Sequence, residues 1–308
     1  MTIDLSAAGS FMASHARVLD RRRFALLVDG TGVDAVLAAV DGYRNPDGGY
    51  GWGLEPDLQA PKSQPGGALH AFEAFADVAP TTTPRAAELC DWLASVSLAD
   101  GGLPFAFPVV NAAGCAPFWA QADPTVSSLQ STAFVVTAAL RVARHDPAVA
   151  AHSWLELAAQ YCLDAIALVD TAPHAIELCF AVQSLDAMHD TRPEATELLQ
   201  RLGRFIPDSG VLHVAGGADE KVLRPLDFAP DPARPARALF APEIVEGELH
   251  RLARQQQDDG GWPVDFASYS PAATLEWRGY ATVRAISILQ RNAMVEEPLS
   301  RTTRLTAD

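Results

Sequence analysis

Apolar residues recur at positions i, i+3, i+4 and i+7 in most segments of the 308-residue chain. This spacing places them on one face of an α-helix, and it predicts about ten amphipathic helices. Clear examples are GGALHAFEAFADV (66–78), STAFVVTAALRVARH (131–145) and HAIELCFAVQSLDAM (174–188). Alternating β-branched stretches are nearly absent, and GVLHV (210–214) is the one short strand predicted. The pattern predicts an all-α fold.

Two of these segments are long enough to predict single extended helices. They are FMASHARVLDRRRFALLV (11–28) and AVAAHSWLELAAQYCLDAIALV (148–169). The segment 174–188 is apolar on nearly every face, as expected of a helix that is packed on two sides. An inner ring of helices covered by an outer ring would produce this pattern.

The turns between the helices repeat a short motif that ends in glycine. The four copies are Asp47-Gly48-Gly49-Tyr50, Asp100-Gly101-Gly102-Leu103, Asp208-Ser209-Gly210-Val211 and Asp259-Gly260-Gly261-Trp262. The last glycines lie at 49, 102, 210 and 261, so the spacings are 53, 108 and 51 residues, with one copy missing near residue 155. An internal repeat of about 53 residues is therefore predicted.

The repeated aspartates have two possible roles, in turn formation or as catalytic acids. Glycine tolerates the positive φ of a tight turn, and an adjacent aspartate hydrogen-bonds local backbone amides. We therefore interpret these aspartates as turn-formers. Trp262 is interpreted first as a packing anchor, with ligand contact as the alternative.

Composition narrows the possible partners and compartment. The formal net charge is −15, with 38 acidic and 23 basic residues, which argues against a nucleic-acid partner because phosphates require clustered cations. The four cysteines lie far apart without a CxxC pair, as is typical of buried thiols in a reducing compartment. Neither a signal peptide nor an apolar run of roughly 18 residues is present, so we expect a cytoplasmic protein without a transmembrane segment.

At the repeat ends the chain resembles the terpenoid cyclase and protein prenyltransferase superfamily of α/α toroids, which includes the squalene-hopene cyclases. That family's repeat ends in Gln, a short gap and Gly-x-Trp, and the segment Gln257 to Trp262 is similar to it throughout. Asn45 to Tyr50 resembles the motif with Asn for Gln and Tyr for Trp, and Ser63-Gln64 resembles the pair that opens the next helix in those cyclases.

The resemblance implies a single α/α toroid, a double ring of about 10 to 12 helices around a central apolar cavity that binds an isoprenoid or a similar hydrophobic molecule. We expect this toroid over residues 1–295 and a flexible C-terminal tail over 296–308. The sequence leaves the oligomeric state open. Fold alone does not fix the function.

The resemblance also implies where the acid of a cyclase should lie. Cyclases of this superfamily protonate their substrate with an aspartic acid of an Asp-x-Asp-Asp-Thr-Ala segment at the start of an inner helix. The similar segment here keeps Thr-Ala but carries Ser128, Gln130 and Ser131 at the three acidic positions. A catalytic chain would therefore need an acid from elsewhere.

Cofactor chemistry has little support in the sequence. The prenyltransferase branch of the superfamily binds zinc through a short Asp-x-Cys pair and a histidine, whereas Cys162 and Asp164 stand in the reverse order here. A phosphate-binding glycine loop after a strand, a Gly-x-Ser-x-Gly elbow and a His-Glu-x-x-His helix are also missing. We expect neither a metal nor an organic cofactor.

Glu55 and Asp57 are the first candidates for a substitute acid. They lie in GWGLEPDLQAP, in a stiff loop between a turn and the next helix, and two neighbouring carboxylates can keep one member protonated. Asp227 is the third candidate because it stands between Leu226 and Phe228, and apolar neighbours raise the pKa of a carboxyl group. A solvent-facing cap or a turn is the alternative role for each.

Aromatic residues complete the predicted site, because their π faces stabilise cationic charge in an apolar cavity. Arg278 is predicted to meet Asp265 or an anionic ligand, with a structural ion pair as the alternative. The predicted pocket residues are Trp52, Phe105, Phe134, Trp262, Trp277 and Arg278.

Three functional hypotheses follow. The first is a terpenoid cyclase-like enzyme that starts carbocation chemistry from one of the three acids. The second is a non-catalytic protein that binds a hydrophobic ligand or a partner. The third is a carbohydrate-active α/α barrel, whose cleft would pair two carboxylates among aromatic rings.

Overall fold

The computed structural model describes residues 3–216, 221–266 and 268–295, and all structural statements refer to these ranges. The predicted tail, 296–308, lies outside the described residues. Within the described part the chain is helical, as the apolar spacing predicts. The helices are α1 (Leu5–His15), α2 (Val18–Asp29), α3 (Val33–Asp41), α4 (Pro65–Asp77), α5 (Pro84–Val96), α6 (Pro117–Ala120), α7 (Leu129–Ala143), α8 (Pro147–Ala150), α9 (Ser153–Ala167), α10 (Ala175–Met188), α11 (Glu194–Gly203), α12 (Pro225–Phe228), α13 (Pro242–Arg254) and α14 (Pro271–Arg291).

The short strand predicted at 210–214 is confirmed as β1 (Leu212–His213), which pairs antiparallel with β2 (Val222–Leu223). A 3₁₀ helix, Pro235–Leu239, precedes α13. The sequence pattern did not indicate β2, because two residues are too few to show alternation.

Local caps explain why the helices begin where they do. Proline occupies the first turn of α4, α5, α13 and α14, where its missing N–H costs no hydrogen bond. Side-chain oxygens cap other helices, as at Asp4, where Oδ1 accepts the amide of Ala7 at 2.8 Å. These signals are local, so the sequence locates most helix starts.

Two segments predicted as single helices are each divided in two, so both predictions are wrong at these positions. The first is broken at Ala16 and Arg17, whose extended backbones (ψ 152° and 158°) separate α1 from α2. Arg17 turns inward there, and its guanidinium binds Asp20 and the carbonyl of Leu54. The second is broken at His152, whose ring Nδ1 caps α9 by accepting the amide of Trp154 at 3.2 Å.

The helices pack in a definite order. Helix α7 lies between α4 and α10, and α9 covers α7, while α11 packs on α10. Helix α14 packs against α1, α2 and α13, and its side chains reach α4 through the pair His70 and Tyr280. Eleven of the 15 residues of α7 are buried, as expected of a helix that is packed on several sides.

Three of the four repeated turns have the same hydrogen bonds. In each, the aspartate Oδ1 accepts the amide of the second glycine, at 2.9 Å from Asp47, 3.0 Å from Asp100 and 3.1 Å from Asp259. The first glycine of each has a φ near 90°. The prediction of turn-forming aspartates is confirmed at these three sites. At the fourth turn Ser209, rather than Asp208, accepts a backbone amide, that of Val211.

Among the described residues, no helix combines the length and apolar composition needed to cross a membrane.

Candidate functional site

The loop between α3 and α4 packs so closely at two glycines, Gly51 and the nearby Gly67 of α4, that neither position has room for a side chain. A Cβ atom on Gly51 would lie 2.3 Å from the carbonyl oxygen of Pro61, and one on Gly67 would lie 2.3 Å from that of Tyr50. The amide of Gln64 donates to the same Tyr50 carbonyl at 2.9 Å. Glycine at these two positions therefore lets the loop press against the first turn of α4.

Three loops meet around Asp57. Its backbone carbonyl accepts the amide of Ala116 at 2.8 Å, and its Oδ1 accepts the amide of Tyr269 at 3.3 Å. Gln64 joins the same loops, because its side-chain amide makes two hydrogen bonds to the backbone of Phe107. The segments that precede α4, α6 and α14 thus meet at Asp57.

Asp57 is buried, with 5% of its surface exposed. Its Oδ2 accepts the indole Nε1–H of Trp277 at 2.9 Å. Burial raises the pKa of Asp57 above its ordinary value, the hydrogen bond from Trp277 opposes that rise, and the charge of Glu55 adds to it. Asp57 is therefore a carboxyl group that holds its proton more tightly than an exposed aspartate does.

Glu55 connects Asp57 to the helices below the loop. Its Oε1 accepts the backbone amide of Asp57 at 3.1 Å, and its Oε2 lies 3.0 Å from Nε2 of His70 on α4. The other ring nitrogen of His70, Nδ1, lies 2.9 Å from Oε2 of Glu73 one helical turn later. A buried histidine thus stands between two carboxylates.

The pKa values of this group follow from the contacts. Burial alone would lower the pKa of His70, but its hydrogen bonds to the Glu55 and Glu73 carboxylates outweigh burial and raise the pKa to about 9. Burial alone would raise the pKa of Glu73, but the His70 hydrogen bond and the His70 and Arg23 charges lower it to about 2. His70 is therefore a cation and Glu73 an anion near neutral pH.

Two further side chains hold Glu73 from α14 and α2. The hydroxyl of Tyr280 donates to Oε1 of Glu73 at 2.8 Å, and Arg23 Nη1 lies 3.8 Å from Oε2. Arg23 also binds Asp77 at 2.6 Å through Nε. Burial, followed by the charge of Glu73, raises the pKa of Tyr280. The contact between α4, α14 and α2 is therefore a connected polar network.

Glu276 is a second acid near the same loops. Gln59 Nε2 approaches its Oε2 at 3.4 Å. Burial raises the pKa of Glu276, and the nearby charge of Arg17 opposes the rise. Arg17 also forms a salt bridge with Asp20 at 2.6 Å, so its positive charge is shared between Asp20 and Glu276.

Four aromatic side chains lie in the two segments that contact Asp57 through Ala116 and Tyr269. Phe105 stacks on Trp119 with ring centroids 4.5 Å apart, and Phe118 meets Tyr269 edge to face at 5.8 Å. Phe118 and Tyr269 are 49% and 48% exposed, so this pair presents apolar surface to solvent beside the backbone amide that binds Asp57. We call Phe105, Phe118, Trp119 and Tyr269 the aromatic rim.

The predicted acids are only partly brought together. Glu55 and Asp57 share the loop site, whereas Asp227 belongs to a different set of contacts. Asp227 Oδ2 accepts the amide of Arg224 at the start of α12, at 2.8 Å, and Oδ1 pairs with Arg284 at 2.9 Å. Asp227 thus takes the capping role that was its alternative.

The predicted pocket residues are similarly divided. Trp277 binds Asp57, and Phe105 belongs to the aromatic rim. Phe134 is buried on α7 against Phe180, and Trp262 is buried in the core, where its Nε1–H donates to the carbonyl of Leu252 at 2.9 Å.

Trp52 and Arg278 hold turns. Trp52 is 57% exposed, adopts a left-handed φ of 56°, and donates from Nε1 to Asn45 at 2.8 Å. Arg278 makes two hydrogen bonds of 2.8 Å to Asp259 and stacks over the ring of Phe11. The partner of Arg278 is therefore Asp259 of the repeated turn rather than Asp265, because the turn folds back onto α14.

In the segment 128–133, which resembles the acidic motif of the cyclases, serine hydroxyl groups make the hydrogen bonds at the start of α7. Ser128 caps α7 by accepting the amide of Ser131 at 3.2 Å, and the Ser131 hydroxyl donates to the carbonyl of Phe105 at 3.1 Å. This helix start supports the aromatic rim from below.

Several site residues were missed at the sequence level: His70, Glu73, Tyr280, Phe118, Trp119 and Tyr269. One signal was available, since His70 and Glu73 are spaced i, i+3 on an otherwise apolar helix and therefore share a face. The aromatic rim had no such signal, because Phe105, Phe118 and Trp119 lie in the segment between α5 and α7 whereas Tyr269 lies far away in sequence, before α14.

Two surface concavities lie away from Asp57. One, of about 340 Å³, is lined by Met12, Val18 and Phe24 among others. The other, of about 640 Å³, lies beside the 3₁₀ helix and α13 and includes Arg237, Phe240 and Leu249. Across ranges 3–216, 221–266 and 268–295, no three His, Cys, Asp or Glu residues are grouped so as to hold a metal ion.

Neither a protein-family model nor a curated protein sequence matches the chain.

Proposed function

We propose that the chain is a terpenoid cyclase-like enzyme in which Asp57 is the acid. In this proposal an isoprenoid or another hydrophobic molecule binds at the loop end of the helices, against the aromatic rim and Trp277. The observation that carries the proposal is the environment of Asp57, a buried carboxyl group of raised pKa that accepts the backbone amide of the half-exposed Tyr269.

Each neighbour then has a physical role. Protonated Asp57 donates its proton to an alkene or epoxide of the ligand, which leaves positive charge on the substrate. The π faces of Trp277 and Tyr269 stabilise that charge. The charge of Glu55 raises the pKa of Asp57 and so favours its protonated form before the ligand takes the proton.

The α/α toroid is part of the same proposal. Its support is the packing order, in which α4, α7 and α10 are successive neighbours and α14 returns to α4 through His70, Trp277 and Tyr280. The equal turns at Asp47, Asp100 and Asp259 support a repeat. The four free cysteines are buried, in keeping with the cytoplasmic location that we expect.

The test is turnover. Purified protein is incubated with squalene and with polyprenyl diphosphates, and products are identified by mass spectrometry. We expect a cyclised product, and we expect Asp57→Asn to lower turnover by at least about 100-fold because a general acid contributes that much or more. Asp123→Asn, at an exposed loop aspartate that accepts the amide of Thr125, is the matched control and should leave turnover unchanged.

Two results would contradict the enzyme proposal. Full turnover by Asp57→Asn would exclude Asp57 as the acid. If none of these substrates gives a product, the proposed cyclisation of isoprenoids is refuted.

A second candidate function is a non-catalytic binding protein, and one observation favours it. Both oxygens of Asp57 accept N–H donors, from Trp277 and from the backbone of Tyr269, and such donors favour the ionised form over the acid. A hydrophobic molecule that co-purifies with the protein and is never altered would support this candidate.

A further inference from the structure

His70 is a buried titratable group that the proposed chemistry does not use. Only 2% of its surface is exposed, and both ring nitrogens already face carboxylates, so the ring has no free atom for a ligand. Any effect of His70 on the reaction must therefore pass through its neighbours.

The geometry fixes the protonation state of the ring. A neutral imidazole has one N–H donor and one acceptor nitrogen, whereas an ionised carboxylate only accepts. At 3.0 Å from Glu55 and 2.9 Å from Glu73, a neutral ring would place one lone pair against a carboxylate oxygen. With both carboxyl groups ionised, only the imidazolium satisfies both contacts.

The charged and titratable groups that face this imidazolium come from each surrounding element. Glu55 faces it from the loop, Glu73 from α4 itself and Tyr280 from α14, while Arg23 approaches the Glu73 oxygen from α2. Asp20, also on α2, lies 3.9 Å from Arg23. The carboxylates outnumber the cations, so a positive ring is compensated.

Glu55 transmits this anchor to Asp57. One of its oxygens is held by His70 and the other holds the backbone amide of Asp57. A Cβ on Gly66 would lie 3.3 Å from the Cβ of Glu55, so the first turn of α4 packs closely against this side chain. Glu55 thus links the backbone amide of Asp57 to α4 through one ion pair.

We propose that His70 is a positioning residue, an imidazolium that anchors Glu55 to α4 and thereby holds the Asp57 loop closed with a carboxylate charge beside Asp57. The inference rests on the proposed role of Asp57 as the acid. Cutting the anchor would loosen the loop and admit water to Asp57, and removing the Glu55 charge would remove the nearest negative neighbour. Either change would weaken the hold of Asp57 on its proton.

The first measurement needs no variant and no substrate. Nitrogen-15 NMR of the histidine rings in the wild-type protein distinguishes an imidazolium from a neutral tautomer. We expect His70 to show two protonated nitrogens at pH 7.5, where an ordinary histidine is neutral. A neutral His70 ring at that pH would overturn the proposal.

The second measurement follows the titration of Asp57 by carbon-13 NMR of labelled aspartate in three folded variants. We expect the midpoint of Asp57 to fall in His70→Gln, because the loop opens, and in Glu55→Gln, because the charge is lost while an acceptor for the Asp57 amide remains. His152→Gln, at a histidine that caps α9 and contacts Asp91, is the matched control and should leave the midpoint unchanged.

The outcomes separate this inference from the proposed function. An Asp57 midpoint in His70→Gln and Glu55→Gln that equals the wild-type value would overturn the positioning role, whatever the turnover. Because Glu55→Gln is nearly isosteric, it remains informative where His70→Gln fails to fold. Turnover by Asp57→Asn would refute the proposed acid while the NMR results stood.

Discussion

Helix α4 has two contact surfaces of opposite chemistry. Towards α7, and onward from α7 to α10, the contacts are apolar, as in the edge-to-face pair of Phe134 and Phe180 at 5.3 Å. Two buried hydroxyls there bind within their own helices, since Thr137 donates to the carbonyl of Ala133 and Ser184 to that of Ala181. We call this the apolar seam.

Towards α14 the contacts are made by charged and hydroxyl groups, namely His70, Glu73 and Tyr280, with Arg23 from α2. We call this the polar seam. Its groups bind one another across helices, so no member can be removed without leaving another unpaired in the interior.

The difference teaches where to look for function. An apolar seam is sufficient to hold helices together, whereas buried ionic groups are costly to desolvate and give little net stability. The polar seam is joined to Asp57 through Glu55, whereas the apolar seam includes α7, whose first turn is capped by Ser128. The chemistry of this chain is therefore expected at α4 and α14.

The largest predicted effect comes from breaking the polar seam at Glu73. Glu73→Ala leaves His70 and Arg23 without a shared anion, and we expect a loss of about 3 to 5 kcal/mol in the free energy of unfolding. Thr137→Val, the matched change in the apolar seam, should cost about 1 kcal/mol or less because the lost hydrogen bond lies within one helix. Urea denaturation measures both, and equal losses would contradict the contrast between the seams.

The second prediction concerns pH. The pKa of His70 is raised from 6.5 to about 9 on folding. The stability that its charge contributes is therefore complete below pH 6.5 and is lost as the pH rises towards 9. We expect the melting temperature of the wild type to fall across this window, and that of His70→Gln to fall less. Parallel curves for the two proteins would show that His70 does not titrate there.

The third prediction tests the hydroxyl of Tyr280. Tyr280→Phe removes the donor to Glu73 and keeps the ring, so we expect a loss of about 1.5 to 3 kcal/mol, the range for a hydrogen bond to a charged group. Phe180→Tyr is the reverse change at the apolar seam, and we expect it to lower the free energy of unfolding because the new hydroxyl enters apolar surroundings beside Phe134. No loss on Tyr280→Phe would mean that water replaces the hydroxyl.

The smallest effects are predicted at two of the repeated turns, where the same serine–aspartate hydrogen bond precedes α4 and α7. Ser63 donates to Asp47 at 2.8 Å before α4, and Ser127 donates to Asp100 at 2.6 Å before α7. We expect Ser63→Ala and Ser127→Ala to lose similar amounts, about 1 kcal/mol each, by thermal denaturation. A much larger loss at one of them would show that the two turns are not equivalent.

The turns and helices were predictable because their causes are local. Helices α4 and α14 begin at Pro65 and Pro271, and the aspartate–glycine turns were recognised from their repeated spacing. The break at Arg17 was missed, because the side chain leaves the helix pattern to reach the carbonyl of Leu54, 37 residues away.

The site was only half predictable for the same reason. Glu55, Asp57 and Trp277 were named as candidates from their loops and neighbours, but the hydrogen bond between Trp277 and Asp57 joins residues 220 positions apart. Asp227 had similar apolar neighbours in sequence, yet the fold gave it a cap and the cation of Arg284.

The sequence by itself determined the helical class, the positions of most helices and the repeated turns, since periodicity, capping and glycine conformation act within a few residues. Only the tertiary structure decided which buried polar groups meet. His70 became an imidazolium because the fold set Glu55 against one ring nitrogen, while Glu73 bound the other. Protonation depends on distances and burial, and those exist only once the chain has packed.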